Sequence, residues 1–453
     1  MKTAAVILAA GQGTRMRSKT PKVLHLIVGK PMLWHAMNSV RMADTEKTIV
    51  VVGHAAELLK ETIGEESATF VLQTERLGTG HAVMQAEEAL KGKVDQVLVM
   101  YGDMPLWRPE TLRMMIETQE QNEGPMTMAT IITDDPRGFG RVVRNSSGSV
   151  LAIVEEPQCT SEQLAIKELN VGLYCFDADW LWEALKRIKL SPKGEYYLTD
   201  AAEVAVADGR RVIAIPIQDH VEAIGVNTRI HLSEAEAMMR KRINRKFMLS
   251  GVTMIDPAHT YIEASVKIGQ DTVIRPNTWI RGNTVIGDGC DLGPNTIITE
   301  CIIGNECVVL ASVLEKAVLE NYVDIGPFGR LRKGAHLADH VHMGNFGEVK
   351  NSYLSPGVKM GHFSYIGDAQ VGENVNIGCG TITCNFDGAN KNKTVIGNDA
   401  FIGSGSMLVA PLELGPNSIT GAGSVVTHDV PANSTVVGVP ARIHTKGKNT
   451  KAT

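Results

Sequence analysis

The hydrophobic pattern of the 453-residue chain changes period partway along. Up to about residue 228, short apolar runs (AAVILAA, KTIVVVG, VDQVLVMYGD, TMATIIT) alternate with amphipathic stretches such as PETLRMMIETQEQNEG. Runs of that length, separated by helix-length segments, predict βαβ units: a parallel sheet covered by helices, in a doubly wound α/β domain. The segment from Ile230 to Gly251 has helix-forming composition, charge on most faces and a terminal glycine, which predicts a linking helix over 229–250. Beyond it Ile268, Ile274, Ile280, Ile286 and Leu292 recur every six residues. The phase slips at loops, resumes at Leu354, Met360 and Ile366, and returns at Ile396, Ile402, Leu408 and Leu414. An aliphatic hexad followed by glycine predicts a parallel β-helix over 251–453, each coil stacking its aliphatic residue on the one below. The first coils would expose an edge, which the linking helix is expected to cap.

Composition narrows the partners. The 45 basic residues are scattered and outweighed by 50 acidic ones, for a net charge of −5. That excludes the basic stripe of a nucleic-acid binder and favours a small polar partner. Seven cysteines without a C-x-x-C pair predict free thiols in a reducing, cytoplasmic setting. MKTAAVILAAG imitates a weak signal peptide, but it runs straight into a glycine loop and TRMRSKTPK, so a buried first strand is expected instead. No stretch approaches the ~18 apolar residues of a membrane span, so no membrane partner is expected.

The candidate chemistry of the first half sits at strand ends, where ligands collect in such sheets. LAAGQGTRM, from Leu8 to Met16, lacks both the third glycine of a dinucleotide fingerprint and the Gly-Lys-Ser/Thr of a P-loop. Gly11 and Gly13 still let backbone N–H groups approach an anion, and Arg15 adds a positive charge. The bland alternative is a tight turn with a solvated arginine. Lys22, beside Pro21, joins Arg15 as a polyphosphate clamp, although alone it reads as a surface lysine. Asp103, closing VMYGD, offers a hard oxygen to Mg²⁺, although a strand-end aspartate is often only a turn former.

Taken in order, LAAGQGTRM, PKVL, QTERLGTGHA, YGDMPL, GFGR, IVEEP, LNVGLY and GVNTR resemble the nucleotidyltransferase half of bacterial bifunctional UDP-N-acetylglucosamine pyrophosphorylases. GPFGRLRKGA, HMGNFGEVK, GHFSYIGDA and CGTITCNFDGANK resemble that family's glucosamine-1-phosphate acetyltransferase half. The resemblance covers nearly the whole chain. It implies an α/β chain with a Rossmann-like nucleotidyltransferase domain over 1–228, the linking helix over 229–250, and a left-handed parallel β-helix acetyltransferase domain over 251–453.

By resemblance, the backbone of Leu8, Ala9, Ala10 and Gly11, with Arg15, meets the nucleotide phosphates, and Lys22 meets the reacting phosphate. Gln73, Gly78 and Thr79 match positions that read uracil. Tyr101, Gly102, Gly140, Glu155 and Asn170 match positions lining sugar and ribose, and Asp103 and Asn227 match Mg²⁺ ligands. The implied co-substrates are UTP and acetyl-CoA. In the second half His362 matches the general base, an imidazole suited to proton transfer near neutrality. Glu348 matches the residue that polarises it. Arg332, Lys350, Tyr365, Asn376 and Lys391 match sugar-phosphate contacts, and Asn385, Phe386, Ser404 and Ala422 match the acetyl-CoA groove. The resemblance also implies a homotrimer.

The sequence departs from the family at Val171, where many relatives carry threonine, at Phe386, where they often carry tyrosine, and at Val439, which aligns with an arginine used for CoA. Arg442 is the alternative contact. The tail TKGKNTKAT is expected to be disordered. Three rival readings frame these assignments. His336, His340 and His342 have a spacing that could bind zinc, as in β-helical carbonic anhydrases. A single-activity nucleotidyltransferase would use the β-helix only for assembly, as in glucose-1-phosphate adenylyltransferases. A nucleotide-exchange regulatory subunit would share the architecture without catalysis. Lys22 with Asp103 argues against the last, and His362 with Tyr365 against a purely structural β-helix.

Overall fold

The computed structural model describes residues 1–53, 55–64 and 67–444, so the TKGKNTKAT tail lies outside the described residues. The chain divides into two units, Met1–Met239 and Arg240–Thr453.

In the first unit one sheet runs Val212–Pro216, Met126–Ile132, Glu168–Asp177, Gln96–Tyr101, Thr3–Ala9, Lys47–Val52, Thr69–Leu72. Every residue of Thr3–Ala9 is buried, and the strand pairs in parallel with both neighbours. Its alternate side chains enter two different cores: Ala4, Val6 and Leu8 pack in one, Ala5, Ile7 and Ala9 in the other. An uninterrupted apolar run is the signature of a strand covered on both faces. The helix Pro109–Gln121 forms where the amphipathic stretch predicts it, with proline in its first turn.

The sheet is not wholly parallel, as the sequence pattern had suggested. Glu168–Asp177 runs antiparallel to both Gln96–Tyr101 and Met126–Ile132. Before it the chain makes an antiparallel ribbon, Gly140–Arg144 with Val150–Val154, a single 3-10 turn at Glu156–Gln158 and the one-turn helix Ser161–Leu164. That is too little for the crossover a parallel return requires.

The second unit is a left-handed parallel β-helix of three sheets, built from strands of two to four residues in parallel register from coil to coil. The hexad does not lapse between Leu292 and Leu354. Ile298, Ile303, Val309, Leu314, Leu319, Ile325, Leu331, Leu337, Met343 and Val349 continue it, all buried. Some steps are five residues long, so a shortened corner looks like a slipped phase in the sequence. Some corners require glycine: a Cβ on Gly287 would lie 2.7 Å from the Gly304 carbonyl oxygen of the next coil.

The helix Arg229–Leu249 supplies the cap of this unit. Ile243 and Phe247 pack on the β-helix core, and the buried Asn244 amide donates to the carbonyls of Pro257 and Thr260 at 2.9 and 3.0 Å. Arg240 lies over the Tyr261 ring, which stacks on Trp279 at 4.0 Å, and Arg281 lies over the Trp279 ring.

Candidate functional sites

Leu8 and Tyr101 are register partners at the carboxyl ends of neighbouring parallel strands, so the glycine loop and Asp103 leave the sheet side by side. A cleft of about 440 Å³ opens there. Its lining includes Leu8, Ala9, Ala10, Gly11, Lys22, Gln73, Gly78, Thr79, Tyr101, Asp103 and Glu155. A smaller cleft of about 190 Å³ shares Tyr101, Asp103 and Glu155 and adds Gly140, Asn170, Val171, Gly172 and Asn227. The structure therefore gathers these residues from six strands and their loops.

The glycine loop works through two distinct glycines. A Cβ on Gly11 would meet nothing within 4 Å, which leaves its backbone open to a ligand. Gly13 has φ +63°, and a Cβ there would lie 2.5 Å from Lys22 Cβ, so the missing side chain is what lets the lysine stem cross the loop. Lys22 then reaches the Asp103 carboxylate and, at 3.1 Å, Asn227 Oδ1. Arg15 donates to the same Asn227 oxygen at 2.9 Å. The Val226 N–H donates to the Asp103 carbonyl at 2.9 Å, so paired backbone carries the two oxygen donors. Two hard oxygens converging on one cationic point fit a divalent cation. Among the described residues no group of three His, Cys, Asp or Glu could hold a metal, so such a cation would draw further ligands from phosphate or water.

Around the cleft each group is tied down. Gln73 donates to the Gly78 carbonyl at 3.1 Å, and the Thr79 hydroxyl accepts from the Leu198 N–H at 3.0 Å. Tyr101 is partly buried at the cleft wall, and desolvation, reinforced by Glu155 and Asp103, pushes its phenol far above the usual range, so it stays a neutral hydrogen-bonding group. Its ring lies against Gly172, where a Cβ would approach Tyr101 Cε2 to 2.1 Å. Desolvation also raises Glu155, opposed by the Thr199 hydroxyl that donates to it at 3.1 Å. Asn170 donates to the Tyr174 hydroxyl at 2.7 Å.

Two residues beside the clefts are held by packing and backbone bonding. Gly102 is buried and lines neither cleft, its N–H being taken by the Leu8 carbonyl at 2.9 Å. Val171 packs in the core as well as bordering the smaller cleft. Arg76, Glu195 and Tyr197 line the main cleft without having been singled out. The Tyr196 carbonyl, beside two of them, faces Gly78 (φ +94°) at 2.6 Å from where a Cβ would sit, a long-range packing that no local motif announces.

In the second unit a column of corner residues stands out. Gly380 N–H donates to the Phe363 carbonyl, Gly405 to Cys379 and Gly423 to Ser404, at 2.7, 2.7 and 2.8 Å. His362–Phe363, Cys379–Gly380, Ser404–Gly405 and Ala422–Gly423 thus rise as one edge of the prism. His362 is exposed at its corner. On one flanking face Glu348 and Tyr365 are register partners, and Arg332 donates to Glu348 at 3.0 Å. Lys350 faces Lys391, whose direct side-chain contact and then like charge lower its pKa, so this face concentrates positive charge. Asn376 lies on the other flanking face, paired with Lys359.

Among the described residues Glu348 bonds Arg332, and no hydrogen bond joins it to His362. Asn385 is buried and donates to Asp368, whose other oxygen accepts from Asn351, so its amide braces the coil. Phe386, more than half exposed, bridges to Lys391 in the loop after Ile382–Cys384. Among the described residues the Arg442 guanidinium donates to the neighbouring Ala441 carbonyl alone. The zinc alternative fails, because the three histidines diverge. His336 pairs with Glu320 at 2.7 Å and His342 with Asp324 at 2.5 Å, while His340 stacks on Tyr322.

Residues 4–226 match the family model described as nucleotidyl transferase, and residues 265–300 and 393–428 match the bacterial transferase hexapeptide (six repeats). The chain is 48% identical over 435 residues to the "Bifunctional protein GlmU" of Geobacillus sp. (strain WCH70), covering 96% of this chain and 95% of the relative. It is 44% identical over 448 residues to the protein of that name from Streptococcus thermophilus (strain ATCC BAA-491 / LMD-9), covering 99% and 97%. A solved UDP-glucose pyrophosphorylase complexed with UDP-glucose aligns with 53% of this chain and all of that one, at 21% identity and a TM-score of 0.43.

Proposed function

The chain belongs to the family of bifunctional GlmU proteins, and on that premise we propose how its two units divide the work. It is a transferase with two activities: it acetylates glucosamine 1-phosphate with acetyl-CoA, then transfers UMP from UTP to N-acetylglucosamine 1-phosphate, giving UDP-N-acetylglucosamine and pyrophosphate. The observation that carries the reading is the meeting of Lys22, Asp103, Asn227 and Arg15 beside an open glycine loop.

In uridylyl transfer a phosphate oxygen of the sugar phosphate attacks the α-phosphorus of UTP, and pyrophosphate leaves. The nucleophile is already ionised at neutral pH, so positioning and charge neutralisation suffice. Lys22 and Arg15 take up the negative charge of the reacting and departing phosphates. Asp103 and Asn227 would hold Mg²⁺, which when bound neutralises phosphoryl oxygens as a Lewis acid. Gln73, Gly78 and Thr79 read the base. Tyr101, Gly140, Glu155 and Asn170 shape the sugar end.

Acetyl transfer needs a base, because the acceptor amine is largely protonated at neutral pH. His362 takes that proton, the freed amine attacks the thioester carbonyl, and the CoA thiolate departs. Arg332, Lys350 and Lys391 bind the acceptor's phosphate with Tyr365 and Asn376 beside them, and Glu348 orients Arg332. The corner column of Ser404 and Ala422, with Phe386 nearby in sequence to Asn385, receives acetyl-CoA. The protein is a cytoplasmic homotrimer in this reading. Its seven unpaired thiols support the first, and the exposed Phe328, Phe346 and Phe363 support the second.

Incubation with glucosamine 1-phosphate, acetyl-CoA, UTP and Mg²⁺, followed by mass analysis, tests the reading. UDP-N-acetylglucosamine is the expected product; UDP-glucosamine, or no sugar nucleotide, would refute it.

A further inference from the structure

The oxygens assigned above to Mg²⁺ already hold a cation. The Lys22 ammonium bonds an Asp103 carboxylate oxygen and lies 3.1 Å from Asn227 Oδ1, which also accepts from Arg15 at 2.9 Å. The side chains of Lys22 and Asp103 are only 13% and 18% exposed, so water screens the pair weakly. Packing across Gly13 fixes the lysine stem over the site. Backbone pairing of Val226 with Asp103 holds the two donors together whichever cation they bind. An ammonium and a hard divalent cation seek the same oxygens, and their like charges repel strongly at such separation.

We propose that Lys22 fills the cation position in the empty protein, and that a divalent cation enters only when nucleotide phosphates draw Lys22 away. Metal and nucleotide then bind as one unit. The inference rests on the nucleotidyl-transfer reading of this site. Once the nucleotide arrives, the same ammonium is free to meet the reacting phosphate.

Titration of the full chain with Mn²⁺, followed by the paramagnetic resonance of the free ion, tests the inference. Without nucleotide, Lys22→Met should expose one site binding Mn²⁺ at least about tenfold more tightly than the unaltered protein. That site should vanish in Lys22→Met/Asp103→Asn, and UTP should induce it in the unaltered protein. Equal Mn²⁺ binding by the unaltered protein and Lys22→Met without nucleotide overturns the exclusion. No Asp103-dependent binding in any arm, with or without UTP, overturns the nucleotidyl-transfer reading itself. For a Lys22→Met chain that does not fold, crystals of the unaltered protein soaked in Mn²⁺ decide. Anomalous density between Asp103 and Asn227 only with UTP supports the inference, and density there without nucleotide overturns it.

Discussion

Replacing Gly172 by alanine tests whether the sugar end of the first cleft is shaped by the packing of the Tyr101 ring. Gly172 sits in the irregular stretch of Glu168–Asp177 where pairing with Met126–Ile132 shifts register between Asn170 and Tyr174. Its φ of +73° lies in the left-handed region, which costs an alanine about 1–2 kcal/mol. The added Cβ would lie 2.1 and 2.6 Å from Tyr101 Cε2 and Cδ2, well inside contact distance. Forcing the packed ring aside is overpacking, worth about 1–3 kcal/mol more. The two terms sum to roughly 2–5 kcal/mol, or about 4–20 °C in the melting of a unit this size. Calorimetry should show the first unit melting earlier while the β-helix transition stays put. Uridylyl transfer should fall because Tyr101 borders both clefts, and acetyl transfer should persist. A first-unit transition within about 1 °C of the unaltered protein would refute the packing argument, since the clash must then relax at no cost.

Other perturbations separate the two sites. Asp103→Ala should lower uridylyl transfer by roughly 10²–10³-fold or more, measured as pyrophosphate release, and leave acetyl transfer intact. His362→Ala should lower acetyl transfer by roughly 10²–10⁴-fold, while conversion of supplied N-acetylglucosamine 1-phosphate continues at its normal rate. The Asp200 carboxyl is pushed from 3.8 up to about 6, first by desolvation and then by Glu203 and Glu155. The folded chain therefore holds a proton that the unfolded chain has lost between those values, and stability declines as pH rises through that window. Asp200→Asn should flatten this slope and stabilise the chain above pH 6, as denaturant titrations at pH 4, 5, 6 and 7 would show. An unchanged slope would count against burial as the cause.

The sequence revealed the period of each half because burial imposes it directly: two-faced burial leaves an uninterrupted run in Thr3–Ala9, and coil stacking leaves the hexad. It hid what depends on partners far along the chain. The reversal of Glu168–Asp177 follows from the short ribbon before it, and no residue within the strand records its direction. Shortened corners between Leu292 and Leu354 disguised a repeat that never stops. Strand-end motifs identified Lys22 and Asp103 singly, but their contact joins positions 81 residues apart and depends on Gly13 clearing the way. In the second half the motifs marked Glu348 without revealing that Arg332, one coil below, engages it. Gly102 was legible as part of YGD, but not that its N–H bonds the Leu8 carbonyl of the neighbouring strand.

The central claim is that two independent sites hand on a released intermediate. It is tested most directly by mixing purified Asp103→Ala protein with purified His362→Ala protein. Each is supplied alone and together with glucosamine 1-phosphate, acetyl-CoA, UTP and Mg²⁺, and UDP-N-acetylglucosamine is followed by mass over time. Neither protein alone should form it on the time scale of the unaltered enzyme, and the mixture should form it after a lag in which N-acetylglucosamine 1-phosphate accumulates. Formation by either variant alone, or an inert mixture of two folded proteins, would contradict the account.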